Sequence, residues 1–398
     1  MTCGVLKFKG EETDGMYPEF TEEQKMLRET IKNFAEKEVA PLAYEIDRDE
    51  RFPKESFKKL GDLGVLGITA PVEYGGAGAG YTEMCIIGEE LAVVCCSTAA
   101  TWGDHTDLCI DNIRRNANEE QKKKYLPPLC DGSKIGGLAM TEPGAGSDVL
   151  GSMRLRADRK GDYYILNGTK TFITNGPVGD VFVVYAKTDM GKGPHGVSAF
   201  IVEKEFPGFS RGKQFEKMGW RGSPTGELIF EDCKVPAENL MGKENEGARI
   251  LMSGLNTERT SLAALSLGIS RGAYEFSLKY AKERVQFGKP IASFQLIQSK
   301  LVDMAMEIEL SRLITYKCAA MADKGLVEEM NLMASYAKLY TAGVGMRITT
   351  EAVQILGGYG YLKEFPVERM MRDAKLQQIG GGTDEIQRLI IARELLQD

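Results

Sequence analysis

The sequence predicts an α+β chain in three successive parts, helical, then stranded, then helical again. Three observations carry that expectation. A capped amphipathic helix opens the first part, β-branched and aromatic segments broken by Gly and Pro fill the middle, and long apolar stripes at three- and four-residue spacing occupy the last third. Alternating βαβ units would interleave strands with helices, and this pattern segregates them. At 398 residues the chain is long enough to bury a substantial core in two or three domains or layers.

The elements follow in order. Thr21-Glu22-Glu23-Gln24 has the form of a capping box, and Met26, Leu27, Ile31, Phe34 and Ala35 continue it as one helical stripe. Pro41 and Pro53 punctuate, and further helical patterns cover roughly 54–64, 82–96 and 98–114. The character changes near residue 138. Tyr163–Leu166 and Thr171–Thr174, separated by Asn167-Gly168, read as two strands joined by a tight turn. Val181–Tyr185, Val197–Val202 and Glu227–Phe230 continue the strand run. Helical spacing then returns through 247–278, 292–324, 328–356 and 383–396. The domains are therefore expected at 1–137, 138–245 and 246–398.

Composition narrows the function. Apolar residues at 43% and charged residues at 27% are ordinary for a soluble globular protein. A net charge of −7 counts against nucleic acid as a main partner, yet leaves local Arg residues and helix N-termini free to hold an anionic cofactor. No apolar run is long enough to span a bilayer. The first twenty residues lack the apolar core of a secretory signal and are acid-rich, unlike a transit peptide. A cytoplasmic protein is expected, with a processed mitochondrial matrix protein as the alternative. Eight scattered cysteines without a Cys-x-x-Cys pair suggest free thiols in a reducing compartment. With only His105 and His195, no metal site is expected, and a Ser-His-Asp engine is disfavoured.

Two hydroxyl-rich stretches carry chemistry. Thr141-Glu142-Pro143-Gly144-Ala145-Gly146-Ser147 is a Gly-rich turn whose backbone N–H groups and hydroxyls suit a polar ring edge or a phosphate. Alone it would read as an ordinary turn. Phe172-Ile173-Thr174-Asn175-Gly176 follows one strand later and strengthens the case.

With Phe20–Gln24 at one end and Ile390–Arg393 at the other, these motifs resemble the acyl-CoA dehydrogenase family over nearly the full length. The resemblance implies an N-terminal helical domain, a central β-barrel and a C-terminal four-helix bundle. FAD would lie between the last two domains, completed by a neighbouring subunit. Thr141 would hydrogen-bond the flavin, Thr174 would do so near N5, and Phe172 would lie against the ring where many relatives carry Trp. Ser147 would contact the CoA moiety. In the stretch 282–288, Arg284 matches a ligand of the FAD pyrophosphate in the adjacent subunit, with Gln286 and Phe287 in the same cofactor-binding motif. An Arg at a helix end is by itself most often a surface residue. Gln354 and Gly358 match a segment lining the adenosine-diphosphate portion, and Thr383 is counted with the cofactor site. The family also implies electron-transferring flavoprotein as acceptor and a homotetramer.

The base is where the chain departs from most relatives, which carry the catalytic Glu just before a Gly-Thr pair in the last domain. Here that place holds Gly381, in Ile379-Gly380-Gly381-Gly382-Thr383. A subset that includes the isovaleryl-CoA dehydrogenases supplies the Glu from an earlier helix, and residues 251–259 match it. Glu258 falls on the catalytic position and Arg259 on one that helps place CoA. Outside that resemblance, a Glu beside an Arg on a helix is most often a solvated ion pair. The α-C–H of a thioester is a weak acid, and a carboxylate in a dry pocket has the raised pKa that suits its removal. Gly381 leaves room for branching or a ring near Cα.

Residues 101–110 resemble the isovaleryl-type floor of the acyl pocket, with Trp102 as a substrate-binding residue, but acids stand at commonly small or neutral places. Asp104, Asp107 and Asp111 share one helix face at i, i+3 and i+7. The plain reading is a solvated face on which Asp111 pairs with Arg115. Asp104, just after Trp102-Gly103, is expected instead as a second base able to take a proton remote from Cα. That would suit an alicyclic ring thioester of the cyclohexane- or cyclohexene-carboxyl-CoA type. The acids would repel a dicarboxylyl-CoA. A flavin-linked oxidase usually carries an additional C-terminal domain, and a non-catalytic acyl-CoA-binding relative would have no need of Glu258.

Overall fold

The structure, a computed structural model, describes residues 19–327 and 329–396. The acid-rich first twenty residues lie almost wholly outside them. Helix α1 (Glu22–Phe34) starts with the expected capping box: Gln24 N–H donates to Thr21 Oγ1 at 3.2 Å, and Thr21 N–H donates to Gln24 Oε1 at 3.0 Å. Helices α2 (Ala43–Asp49), α3 (Lys54–Asp62) and α4 (Tyr81–Val94) follow. The expected helix at 98–114 is a longer run of three pieces. These are α5 (Cys96–Gly103), a π-helical segment at Asp104–Asp111, and α6 (Asn112–Asn116). A π segment inserts extra backbone into a helix and often marks a functional site. Helix α7 (Glu119–Cys130) completes the first part.

Strands β1 (Gly136–Ala139), β2 (Arg156–Lys160), β3 (Tyr163–Thr174), β4 (Val181–Lys187), β5 (Val197–Glu203), β6 (Phe209–Gln214), β7 (Thr225–Pro236) and β8 (Leu240–Met241) form one eight-stranded sheet. Its order is β6-β7-β3-β2-β4-β5-β8, with β1 parallel to β4. Every side chain of β4 is buried. Val181, Val183 and Tyr185 pack with Ile110, Ile113 and Leu126 of the helical part, whereas Phe182, Val184 and Ala186 pack within the β domain. Burial on both faces explains its unbroken apolar sequence.

One strand expectation is overturned. Asn167-Gly168 is not a hairpin turn but an irregularity inside the single strand β3, whose register against β7 shifts between Leu166 and Gly168. Asn167 accepts the Asp232 N–H at 2.8 Å, and Gly168 has φ +141 with no room for a Cβ beside Leu155. Strands β2 and β6 had no sequence signal, because they are short, charged and largely exposed.

After the one-turn α8 (Val149–Ser152), the last part holds α9 (Gly247–Glu283), a hairpin of β9 (Val285–Gln286) and β10 (Lys289–Pro290), α10 (Gln295–Asp323), α11 (Asn331–Leu356), α12 (Pro366–Gln377) and α13 (Asp384–Leu395). Helix α12 was not foreseen, although Pro366 at its first position is a start signal. The two helical parts share one core, in which Ile87, Leu91, Leu265, Ile269, Ile308 and Val344 belong to a single cluster. Trp102 belongs to it too. It is fully buried, with its indole N–H donating to Val65 O at 3.0 Å. No helix among the described residues is long and apolar enough to cross a membrane.

Candidate active site

Glu258 lies in the second turn-pair of α9 and is half-buried. Burial raises its carboxyl above the ordinary value, and the charges of Arg259 and Lys338 oppose that rise. A Cβ on Gly381 would stand 3.6 Å from Glu258 Oε1 and 2.2 Å from Leu262 Cδ1. The loop position empty of an acid thus faces the carboxylate that the earlier helix provides. Gly381 has φ +61, a conformation that favours Gly.

Arg259 points inward rather than toward solvent. It is 5% exposed, and its Nη1 donates to Asn256 Oδ1 and Asn331 Oδ1, both at 2.9 Å.

The acidic face is buried, against the expectation of a solvated one: Asp104, Asp107 and Asp111 are 8%, 4% and 0% exposed. It packs against β1 and α9. Asp111 does pair with Arg115, whose Nε donates to Oδ2 at 2.6 Å, and also with Arg114, whose Nε donates to Oδ1 at 2.8 Å. Burial pushes its pKa up, but the two guanidiniums outweigh that and hold it below the ordinary range. Asp104 has no such partner. Its Oδ2 is buried without a hydrogen bond, and a Cβ on Gly137 would lie 3.2 Å from that oxygen. Burial holds its carboxyl well above the usual range, with the charges of Glu258 and Asp107 adding to the effect. Asp107 is raised likewise by burial, then by Asp111 and Glu258. Asp104 and Asp107 therefore keep their protons more firmly than free carboxylic acids.

The Gly-rich turn after β1 is anchored from below. Glu142 is buried and accepts the Arg154 and Leu155 N–H groups at 2.6 and 2.9 Å. Lys170 Nζ donates to Glu142 Oε1 at 2.9 Å and to Met140 O at 2.8 Å. Thr171 N–H donates to Thr141 O, joining the turn to β3. Above that anchor Ser147 is exposed, Thr141 and Thr174 are half-buried, and Phe172 is 66% exposed at φ +57. The sequence did not single out Glu142 and Lys170, because charged residues in a polar turn and strand give no sign of burial.

Arg284 and Gln286 meet Gly358 elsewhere. With Tyr280, Leu356 and Tyr359 they line a cavity of about 420 Å³ at the end of α9 and α11. Arg284 lies over the Tyr359 ring, 5.3 Å from its centroid. A Cβ on Gly358 would meet nothing within 4 Å, so a ligand can approach its backbone. None of Thr141, Phe172 and Thr174 lines this cavity. Gln354 is exposed just outside it, Phe287 is 93% exposed, and Thr383 caps α13 by accepting the Ile386 N–H at 3.3 Å.

Three family models match in succession: the acyl-CoA dehydrogenase N-terminal domain over 21–133, the middle domain over 137–233 and the C-terminal domain over 245–396. The chain belongs to the acyl-CoA dehydrogenase family. It is 48% identical to the mitochondrial isovaleryl-CoA dehydrogenase of Pongo abelii, covering 94% of this chain and 88% of that protein. It is also 48% identical to a short-chain-specific acyl-CoA dehydrogenase of Clostridium acetobutylicum, covering 94% and 98%. The butyryl-CoA dehydrogenase structure from Megasphaera elsdenii superposes with a TM-score of 0.92 at 42% identity, over 95% of this chain and 99% of that one. This acyl-CoA dehydrogenase is an oxidoreductase acting on CH–CH groups, and its homologues use FAD. The residues present fit that cofactor. An Arg beside an open Gly suits the diphosphate, and a hydroxyl-bearing turn beside an exposed aromatic suits a flavin ring edge. Equal identity to relatives named for different acyl groups leaves substrate choice to the pocket.

Lys338, Asp384 and Asn331 escaped the sequence reading. Lys338 is 1% exposed, and its Nζ stands 3.4 Å from Asp384 Oδ1. Asn331 and Asp384 open α11 and α13, where polar residues are ordinary and give no sign of burial.

Proposed function

We propose that the chain oxidises a short branched or alicyclic acyl-CoA thioester between Cα and Cβ, with Glu258 taking the α-proton. The observation that carries this reading is the carboxylate of Glu258 facing Gly381, where a side-chain acid would otherwise stand. Burial makes Glu258 a stronger base than a solvated carboxylate, while Arg259 and Lys338 keep its ionised form accessible. Bound FAD supplies the acceptor for the β-hydride at flavin N5. Thr141, on a turn that Lys170 and Glu142 hold, and Thr174, on β3, would hydrogen-bond the flavin edge, with Phe172 of β3 against its ring. Arg284, Gln286, Gln354 and Gly358 belong to a surface that binds the diphosphate end of FAD seated in a neighbouring copy. That division is consistent with the separation of the two residue groups within one chain, and it goes with a homotetramer. With Arg259 turned inward, the CoA moiety falls to Ser147 and its exposed turn. Electron-transferring flavoprotein is the proposed acceptor and the cytoplasm the proposed compartment.

The test is Glu258→Gln. The variant should retain FAD and acyl-CoA binding while turnover falls by about 10²–10⁴-fold. Near-normal turnover sinks the assignment.

The unpartnered Asp104 Oδ2 favours a second reading, in which Asp104 takes a proton remote from Cα on a ring thioester. Burial disfavours its ionised form, so this activity should climb as pH rises. Cyclohexane-carboxyl-CoA, cyclohexene-carboxyl-CoA and isovaleryl-CoA are each added to the enzyme, and bleaching of the flavin is followed. Reduction confined to the open-chain ester removes the second reading.

A further inference from the structure

We propose that Lys338 and Asp384 act as a positioning pair for Glu258: Asp384 keeps the Lys338 ammonium charged, and that charge keeps Glu258 ready to accept a proton. The inference rests on Glu258 being the base. Its starting point is a cost. Burying an ammonium is expensive unless a hydrogen-bonded counter-charge goes with it, and Lys338 is almost completely buried on α11. The carboxylate at hand is Asp384, 3.4 Å away and 8% exposed. Asp384 is the first residue of α13, where the helix N-terminus favours an anion. It follows Gly381 by three residues, and Gly381 is the position that faces Glu258 Oε1. The pair therefore joins α11 to the start of α13, just after the loop that meets Glu258 of α9.

The charged and titratable groups around Glu258 divide by element. Arg259 comes from α9 itself, Lys338 from α11 with Asp384 of α13 behind it, Asp104 and Asp107 from the π segment, and Tyr185 from β4. Burial pushes Asp104 and Asp107 toward their neutral forms, and the charges that favour an ionised Glu258 are the two cations. They differ in kind. Arg259 is bonded to two neutral amides and its guanidinium does not deprotonate in a protein. Lys338 can lose its proton: burial lowers its pKa, and Asp384 is the largest influence holding it up. A purely structural ion pair would support the helix packing without reaching the chemistry.

The acid limb of the kcat/KM–pH profile separates these roles. It is measured on the FAD-loaded enzyme with whichever of isovaleryl-CoA and cyclohexane-carboxyl-CoA reduces the flavin faster. Lys338→Met should move the limb upward by on the order of one pH unit, because an opposite charge has been removed. Asp384→Asn should move it the same way, since the unpaired lysine holds its proton less firmly. In a Lys338→Arg background the limb should stay at its wild-type place, and adding Asp384→Asn there should no longer move it. Should Lys338→Met fail to fold, the contrast between Asp384→Asn in the Lys and Arg backgrounds carries the test alone. An unmoved limb in Asp384→Asn, or an equal movement in both backgrounds, overturns the proposal. Glu258→Gln is the control: if it keeps its turnover, the base itself is misassigned, whereas its loss with an unmoved limb removes only the role of the pair.

Discussion

Two groups of buried acids lie on consecutive helices of the first part, and they are built in opposite ways. On α4, Glu89 and Glu90 are 0% and 2% exposed and saturated with donors. Arg28 donates to Glu89 at 2.8 Å and to Glu90 at 2.7 Å, Arg271 bonds both, and the Tyr316 hydroxyl donates to Glu89 at 2.5 Å. On the π segment, Asp104 is nearly as buried, yet one of its oxygens has no partner. Asp111, seven residues on, resembles the glutamates in having two guanidiniums and the Tyr81 hydroxyl. Burial alone therefore does not mark a functional acid in this molecule. The acids on α4 are given every partner they can use and tie α1, α4 and α9 together, whereas Asp104 is left with one oxygen unpartnered.

The sharpest way to break this contrast is to remove a saturated acid. Asp111→Asn leaves Arg114 and Arg115 part-buried beside a neutral amide, and removing one partner of a buried pair typically costs about 3–5 kcal/mol. The folded-state pKa of Asp111 is depressed, so its contribution is present above the ordinary carboxylate range and lost as pH falls through the lower folded value. Urea unfolding at neutral pH should show the full loss, and the difference from wild type should shrink in acid. A variant as stable as wild type at pH 7 would mean that Asp111 is not tied into the fold as its bonds suggest.

The sequence disclosed these features unequally. The proximity of Glu258 to Gly381 was legible because the missing acid of the late motif and the acid of the earlier helix are both written in residue types. The capping box of α1 was legible for the same reason, since it is made by residues three apart. The acidic face was misread. Spacing at i, i+3 and i+7 places three aspartates together, but cannot say whether β1 and α9 will cover them. The fate of Trp102 and Arg259 was hidden in the same way, because Val65 and Asn331 are distant in sequence. Asn167-Gly168 has the composition of a turn, and only pairing with β7 through Asp232 makes it a bulge. Local signals were readable where local contacts decide the outcome.

Asp104→Asn is expected to have the smaller effect on stability, and its sign changes the comparison from one of degree to one of kind. The carboxyl is raised by burial, so across the range between its ordinary and folded values the native state holds a proton that the unfolded chain releases. Wild-type stability should therefore decline as pH climbs above the ordinary aspartate value of about 3.9, by up to about 1.4 kcal/mol per pH unit while that range lasts. The amide does not titrate, and it replaces a protonated carboxyl of nearly equal size. At about pH 4 the variant should match wild type to within about 1 kcal/mol, and at higher pH it should become the more stable of the two. Asp111→Asn loses stability under the same neutral conditions. Paired urea titrations of the two variants across pH thus give curves that diverge from wild type in opposite directions if Asp104 is held as an unpaired neutral acid. Two parallel losses would instead mean that Asp104 is a partnered anion like Asp111, and the case for it as a second base would go with that finding.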